Sequence, residues 1–167
     1  MSEYRTGIGY ELHPLVEGRP LVLAGMAIPH SAGLQGHSDA DVVSHAVADA
    51  LLGAAALGDI GEHFPPSEAR WKDAPSLLFV SRAREMLAGR GWRIVHVDVV
   101  LVLERPRILP FRQQMRENLA RALGVAAEAV SIKAKTSEGL GPVGEGRAAE
   151  AHAVATIRQV STSESSA

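Results

Sequence analysis

A chain of 167 residues with a formal net charge of −2 fits one domain, with room for one core and one site, or for a share in a site built between subunits. That balance gives no bulk electrostatic drive towards nucleic acid or an anionic membrane, so an anionic ligand needs local donors. With no cysteine, disulfides and thiolate metal sites are excluded, and any metal must take histidine and carboxylate ligands.

In chain order, residues 1–9 show no basic segment leading into an apolar core, and no apolar run nears bilayer length, which sets a cytoplasmic location as the expectation. Residues 21–28 read as a short strand pair broken at Gly25, and Pro29 and Gly33 mark the exit into a loop ending at Gly36-His37-Ser38. A helix is expected from Ser38, capped by Ser38 or Asp39, with Asp41 in its first turn and Val42, Val43, Ala46, Val47, Ala50, Leu51 and Ala54 along it until Gly58. Residues 59–74 hold turn chemistry at Gly61, Pro65 and Pro66 and read as a loop; a second helix follows Pro75 and ends before Gly89. Val95, Val97, Val99 and Leu101 alternate with His96, Asp98, Val100 and Val102, which predicts a strand with one face buried and the other partly so. A third helix is expected over 109–123, stopped by Gly124, and strands near 130–135 and 149–160 are joined by a glycine-bearing loop. The polar residues 161–167 read as a disordered tail to a single domain covering 1–160. Strands and helices do not alternate regularly, so the fold class is α+β, a small mixed sheet layered with helices.

Three groups of residues could carry chemistry. Glu11 and His13, two apart in an extended segment, point to the same side, and His45 lies four residues from both Asp41 and Asp49 on a helix that is otherwise apolar. Three protein donors with a fourth position open make a catalytic zinc site, and a nearby carboxylate could orient an imidazole. Spacing alone leaves open that these are ordinary half-buried histidines beside a solvated helix face. The second group, Gly36 to Asp41, runs into a helix N-terminus, where free N–H groups suit phosphate if a cation offsets the aspartates; a plain capped helix reads as well. The third, Lys133 to Gly141, combines glycines, lysines and Thr136 with Glu138, fit for a diphosphate and a hard cation, and is also readable as a simple hairpin.

His37-Ser38-Asp39-Ala40-Asp41, then Asp49-Ala50-Leu51-Leu52-Gly53-Ala54, then Leu57-Gly58-Asp59-Ile60-Gly61 and Phe64-Pro65 form a long, specific block in this order. The block resembles the 2-C-methyl-D-erythritol 2,4-cyclodiphosphate synthase family, and the likeness runs from Gly7-Ile8-Gly9-Tyr10 through Arg105-Pro106 and Lys135-Thr136-Ser137-Glu138 to about Ile157. The resemblance implies closure of 4-diphosphocytidyl-2-C-methyl-D-erythritol 2-phosphate to the cyclodiphosphate with release of CMP, in the methylerythritol phosphate route to isoprenoid precursors. It implies one divalent metal per subunit, zinc being expected, on Glu11, His13 and His45, and Mg²⁺ or Mn²⁺ with the substrate diphosphate at Glu138. His37 and Thr136 take the positions that stabilise the transition state, and Ser38 lies at the phosphate. Asp59, Ile60 and Gly61, with Phe64, Pro65, Pro66, Ser67 and Glu68, match segments around the methylerythritol. Leu103, Glu104, Arg105, Pro106, Arg107, Ile108 and Leu109, with Lys135 and Ser137, match the cytidine and diphosphate side, to which Pro142, Glu145 and Arg147 are added.

The same likeness implies a homotrimer with sites between subunits, its three sheets packed around a threefold axis, and a central cavity in which some members hold an isoprenoid diphosphate. Nucleic acid and membrane are not expected partners. Three positions depart from the family pattern: Glu11 stands where aspartate is usual, Pro66 where aspartate is frequent, and Glu145 where an arginine reaches the diphosphate, with Arg147 two residues on. Two further readings stay open from sequence: a trimer that binds isoprenoid diphosphates without turnover, and a metal-dependent phosphohydrolase using water.

Overall fold

The computed structural model describes residues 3–160. Strands β1 (Tyr4–Glu17), β2 (Leu21–Leu23), β3 (Met26–Ile28) and β4 (Ala32–Leu34) precede helix α1 (Val42–Ala54) and the short α2 (Ile60–His63). Helix α3 (Leu77–Ala88), strand β5 (Trp92–Val102), helix α4 (Arg112–Leu123), strand β6 (Val130–Lys135), the short α5 (Gly141–Gly144) and strand β7 (Ala148–Gln159) follow. Five strands form one mixed sheet in the order β4-β1-β7-β5-β6, with only β5 and β6 parallel, and β2 and β3 form a separate hairpin. The helices lie on one side: α1 covers β1 and β7, α3 packs beside α1 and reaches β5, and α4 packs on β6. This is the expected α+β layering. The tail expected to be disordered, residues 161–167, lies outside the described residues. Among the described residues no helix is long and apolar enough to cross a membrane.

The 14-residue β1 went unread in the sequence beyond an extended segment at Glu11 and His13, because Gly7, Gly9 and Pro14 interrupt the β-branched signal. Those glycines have a packing reason. A Cβ at Gly9 would fall 1.9 Å from the Ala46 carbonyl oxygen, and one at Gly7 would fall 2.2 Å from that of Ala50. Their hydrogens let α1 lie directly on β1. On β7 the matching face is Ala149, Ala151, Ala153 and Ala155, all buried, so small residues line the contact with the helix on two neighbouring strands.

Several boundaries shift for local reasons. Helix α1 begins at Val42, not Ser38, because Asp41 is its N-cap: the Asp41 carboxylate accepts from the N–H groups of Val43 and Ser44. The loop expected after Pro29 contains β4, paired with the end of β1. β5 starts at Trp92 and bulges between Ile94 and His96, which puts Val95 out of phase and leaves it exposed while Val97, Val99 and Leu101 are buried. Helix α4 begins at Arg112, three residues after the expected start, and ends at Gly124 in the left-handed region, φ 67°. Residues 59–74 hold α2 and a 3₁₀ turn, Ala69–Trp71, where a plain loop was expected.

The sheet face turned away from the helices is open and carries an apolar strip on β1, beside which β7 places His152 and Glu150 as well as Val154. Ile8 is 71% exposed, Tyr10 49% and Leu12 46%, and Val154 on β7 adds to the same face.

Candidate metal centre and active site

A β-strand advances about 6.8 Å per two residues and an α-helix about 6.0 Å per four, so the β1 positions facing α1 keep step with the helix turns. Gly7 meets Ala50, and Gly9 meets Ala46. The next two positions on that face, Glu11 and His13, arrive at the N-terminal end of α1, where His45 sits. Their donor atoms lie within 4.8 Å of one another, so the structure brings together the three metal ligands expected.

Each imidazole has one nitrogen already taken. The His13 Nδ1–H donates to the Ala40 carbonyl at 3.0 Å, since a carbonyl only accepts, and this turns the Nε2 lone pair towards the Glu11 carboxylate at 3.2 Å. A lone pair facing a carboxylate needs a proton or a cation between them. His13 is accordingly drawn up from its ordinary value: burial opposes protonation, and the Glu11 carboxylate and the Ala40 carbonyl outweigh it. For His45, Nε2 lies 2.8 Å from the Ser76 hydroxyl and 3.0 Å from that of Ser38, which leaves Nδ1 for the cluster. Burial, with His13 beside it, pushes this imidazole down to about 4, so it is neutral near pH 7, as a metal ligand must be. The donor set therefore fits a divalent metal: two imidazole nitrogens and a carboxylate, each imidazole held by a partner on its far side, for which zinc chemistry needs no thiolate.

The stripe of Asp41, His45 and Asp49 does three separate jobs. Asp41 is fully buried and collects five donors: the N–H groups of Ala24, Gly25, Val43 and Ser44 and the Ser44 hydroxyl. It thus ties the β2–β3 turn to the start of α1, while burial pushes its carboxyl up to about 6. Asp49 accepts from the Ile60 N–H at 2.8 Å and anchors the start of α2. Neither accepts a hydrogen bond from His45. The carboxylate in line with His45 is Asp39, reached through Ser76.

With Val43 and Ser44 N–H groups held by Asp41, the first turn of α1 is not the open phosphate cradle expected from the loop-to-helix pattern. Ser38 lines the cavity, but its buried hydroxyl faces His45, Ser76 and the Ala40 N–H. His37 is exposed at the same cavity.

The cavity is walled by Glu11, His13, His37, Ser38, His45, Ile60, Gly61, Phe64 and Pro66, and also by Trp71 and Phe79, which the sequence did not single out. Phe64 stacks on Phe79 with ring centroids 4.6 Å apart, and Phe79 in turn lies 5.7 Å from His45. Asp59 caps α2 through the Glu62 N–H. Pro65, Ser67 and Glu68 stand outside the lining, with Glu68 ion-paired to Arg70.

The remaining predicted residues gather elsewhere. Leu103, Glu104, Pro106, Arg107, Ile108, Leu109, Lys135 and Thr136 line a second cavity at the ends of β5 and β6. Thr136 donates to Glu138 at 2.7 Å, and Glu104 accepts from the Ser137 N–H at 2.7 Å, which holds the two segments together. Arg105, Ser137, Glu138, Pro142, Glu145 and Arg147 do not line this cavity; Arg147 is ion-paired with Glu145. The two cavities share no residue. β7 and β5 stand between β1 and β6, a separation of about 14 Å across the sheet. Each cavity holds about 190 Å³, below the roughly 300–1,000 Å³ of a complete small-molecule site.

The YgbB family's sequence profile matches residues 4–158. A protein of Solibacter usitatus (strain Ellin6076) named 2-C-methyl-D-erythritol 2,4-cyclodiphosphate synthase is 52% identical over 159 residues, 95% of this chain and 100% of that protein. A solved structure of 2C-methyl-D-erythritol-2,4-cyclodiphosphate synthase in a CDP-bound form has a TM-score of 0.85 at 38% identity, covering 92% of this chain and 99% of that one. The bifunctional IspDF of Campylobacter jejuni gives a TM-score of 0.91 at 34% identity; the match covers 95% of this chain and 43% of that longer one.

Proposed function

The chain belongs to the YgbB family, that of the 2-C-methyl-D-erythritol 2,4-cyclodiphosphate synthases, and from that premise we propose that it closes 4-diphosphocytidyl-2-C-methyl-D-erythritol 2-phosphate to the cyclodiphosphate. A 2-phosphate oxygen bonds to the β-phosphorus, the bridging bond from that phosphorus to the α-phosphate oxygen breaks, and CMP leaves with the bonding pair. The reaction is a cyclising phosphorus–oxygen lysis and needs no protein nucleophile, so the protein's part is positioning and charge stabilisation.

The observation that carries this reading is the Glu11, His13 and His45 cluster, set in one cavity with His37, Ile60, Gly61 and Phe64. Glu11, His13 and His45 would hold zinc, which when bound supplies charge to the attacked phosphate. His37 offers an imidazole donor to the same phosphate. The Phe64 and Pro66 wall excludes water from the erythritol carbons. In the second cavity Lys135 and Thr136 offer donors to the diphosphate, Glu138 would hold a Mg²⁺ or Mn²⁺ ion with it, and residues 103–109 would take the cytidine.

Because the two cavities are separate and each is small, the reading includes a homotrimer in which the second cavity of one subunit faces the metal cluster of the next. The open apolar face at Ile8, Tyr10 and Leu12 supports this, since such a surface is buried in a partner more often than left in water. Three such faces around an axis would enclose a partly apolar cavity able to take an isoprenoid diphosphate.

Metal-loaded protein incubated with the cytidyl diphosphate substrate and followed by ³¹P NMR should yield cyclodiphosphate and CMP together. A chelator should abolish both, and zinc with magnesium should restore them; His45→Ala should lose both metal and turnover while staying folded. Tight binding without product would replace this reading with a sensor, and a linear phosphate product with a hydrolase.

A further inference from the structure

The far side of His45 is more elaborate than holding an imidazole in place requires. Ser76 precedes α3 at its N-cap position, yet its hydroxyl makes no cap bond to that helix, the bond a serine there ordinarily makes. It points instead at Asp39 and at His45 Nε2. Asp39 grips Ser76 twice: one carboxylate oxygen accepts the hydroxyl and the other accepts the Ser76 N–H at 3.1 Å. Two backbone bonds hold the segments in register, from the Asp73 N–H to the His37 carbonyl at 2.9 Å and from the Asp39 N–H to the Ala74 carbonyl at 3.1 Å.

The direction of the Ser76 hydroxyl proton follows. A carboxylate only accepts, so the Ser76 hydroxyl hydrogen goes to Asp39. The Ser76 oxygen is then left as an acceptor. The Ser38 hydroxyl accepts the Ala40 N–H and has two acceptors in reach for its own hydrogen, the Ser76 oxygen at 3.1 Å and His45 Nε2 at 3.0 Å. His45 Nε2 faces the Ser76 oxygen as an acceptor at 2.8 Å, and a metal on Nδ1 selects the arrangement in which Nε2 carries the hydrogen and Ser38 donates to Ser76. Its Nδ1 is thereby a lone pair on the side of Glu11 and His13.

We propose that Asp39 and Ser76 are a positioning pair that fixes His45 in its Nε2–H tautomer, and through it sets the affinity of the cluster for a divalent metal. The inference rests on the metal reading of Glu11, His13 and His45. Asp39 does not itself line the cavity; it acts on His45 through the Ser76 hydroxyl between them.

Asp39→Asn is nearly isosteric and reverses the proton order at Ser76, at the cost of the Asp41 N–H, which loses its Asp39 Oδ1 acceptor at 3.2 Å. The Asn amide presents N–H to the Ser76 oxygen while its carbonyl keeps the Ser76 N–H, so Ser76 turns its own hydrogen to His45 Nε2 and the ring changes to the Nδ1–H tautomer. Zinc titrated into metal-free wild type, Asp39→Asn and Ser76→Ala against a chromophoric chelator gives the affinity. Long-range ¹H–¹⁵N correlation of His45 in the same metal-free proteins gives the tautomer. The expected result is one zinc per chain in wild type, about 10–100-fold weaker binding in both variants, and Nδ1–H at His45 in Asp39→Asn. Should either folded variant keep the Nε2–H form and bind zinc within about twofold of wild type, the pair has no such role. Failure of wild type to bind zinc would sink the metal reading instead, and the tautomer measurement would still judge the pair.

Discussion

Of the three donors in the cluster, His45 is the most withdrawn from water, and its withdrawal has a sign that titration can read. Burial holds its imidazole at about 4, against 6.5 for a free one. Between those values the unfolded chain binds the proton and the folded, metal-free chain does not, so stability is full above about pH 6.5 and falls as pH falls towards 4. The loss reaches about 3 kcal/mol. His13, drawn the other way, contributes with the opposite sign, so the difference between wild type and His45→Gln isolates the His45 share. Urea unfolding of both metal-free proteins should show wild type losing ground to the variant between pH 7 and 4.5. An unchanged gap would mean that His45 is as well solvated folded as unfolded. Glu11 belongs to the same scale. Its carboxylate comes to 3.2 Å from His13 Nε2.

At the scale of elements, the placing of those donors depends on how closely α1 lies on β1. Gly9→Ala would set a Cβ 1.9 Å from the Ala46 carbonyl oxygen, in backbone that cannot give without lifting the helix. The expected cost is about 3 kcal/mol or more in unfolding free energy, with zinc affinity reduced because Glu11 and His13 move relative to His45. Gly53→Ala is the control. It lies within α1, and its Cβ would meet only the Ile8 carbonyl oxygen at 3.8 Å, so the helix propensity of alanine should raise stability by about 0.5–1 kcal/mol. Equal effects from the two substitutions in urea denaturation would show that close approach at Gly9 does not govern the contact.

For the whole molecule, the decisive feature is that those expected site residues that line a cavity divide between two cavities, on strands three spacings or about 14 Å apart. The proposed trimer joins them, and the face bearing Ile8 would be buried in it. Ile8→Glu should therefore convert trimer to monomer in light scattering. The monomer should still bind one zinc per chain, because Glu11, His13 and His45 belong to a single subunit, and should lose turnover, because Lys135, Thr136 and Glu138 would come from a neighbour. A monomeric variant with full activity would place the complete site in one chain.

Local chemistry was legible from the residues alone: the period of two that aligns Glu11 with His13, the apolar run of α1 around His45, and the alternation that buries Val97, Val99 and Leu101. Each depends on contacts within a few positions along the chain, where strand and helix geometry translate spacing into direction. The Asp39–Ser76–His45 line was not legible, since Ser76 lies 37 residues beyond Asp39 and its sequence context is that of an ordinary helix cap. Nor was the role of Asp41, which looked like a first-turn charge until the β2–β3 turn was found bonded to it. β1 itself was hidden by the glycines that make its packing possible. What the sequence by itself determined is therefore the set of chemical groups and their local direction; which buried acceptor meets which donor was decided only by the tertiary fold, because a polar group removed from water takes its partner from whatever segment the packing of α1 on the sheet brings within about 3 Å.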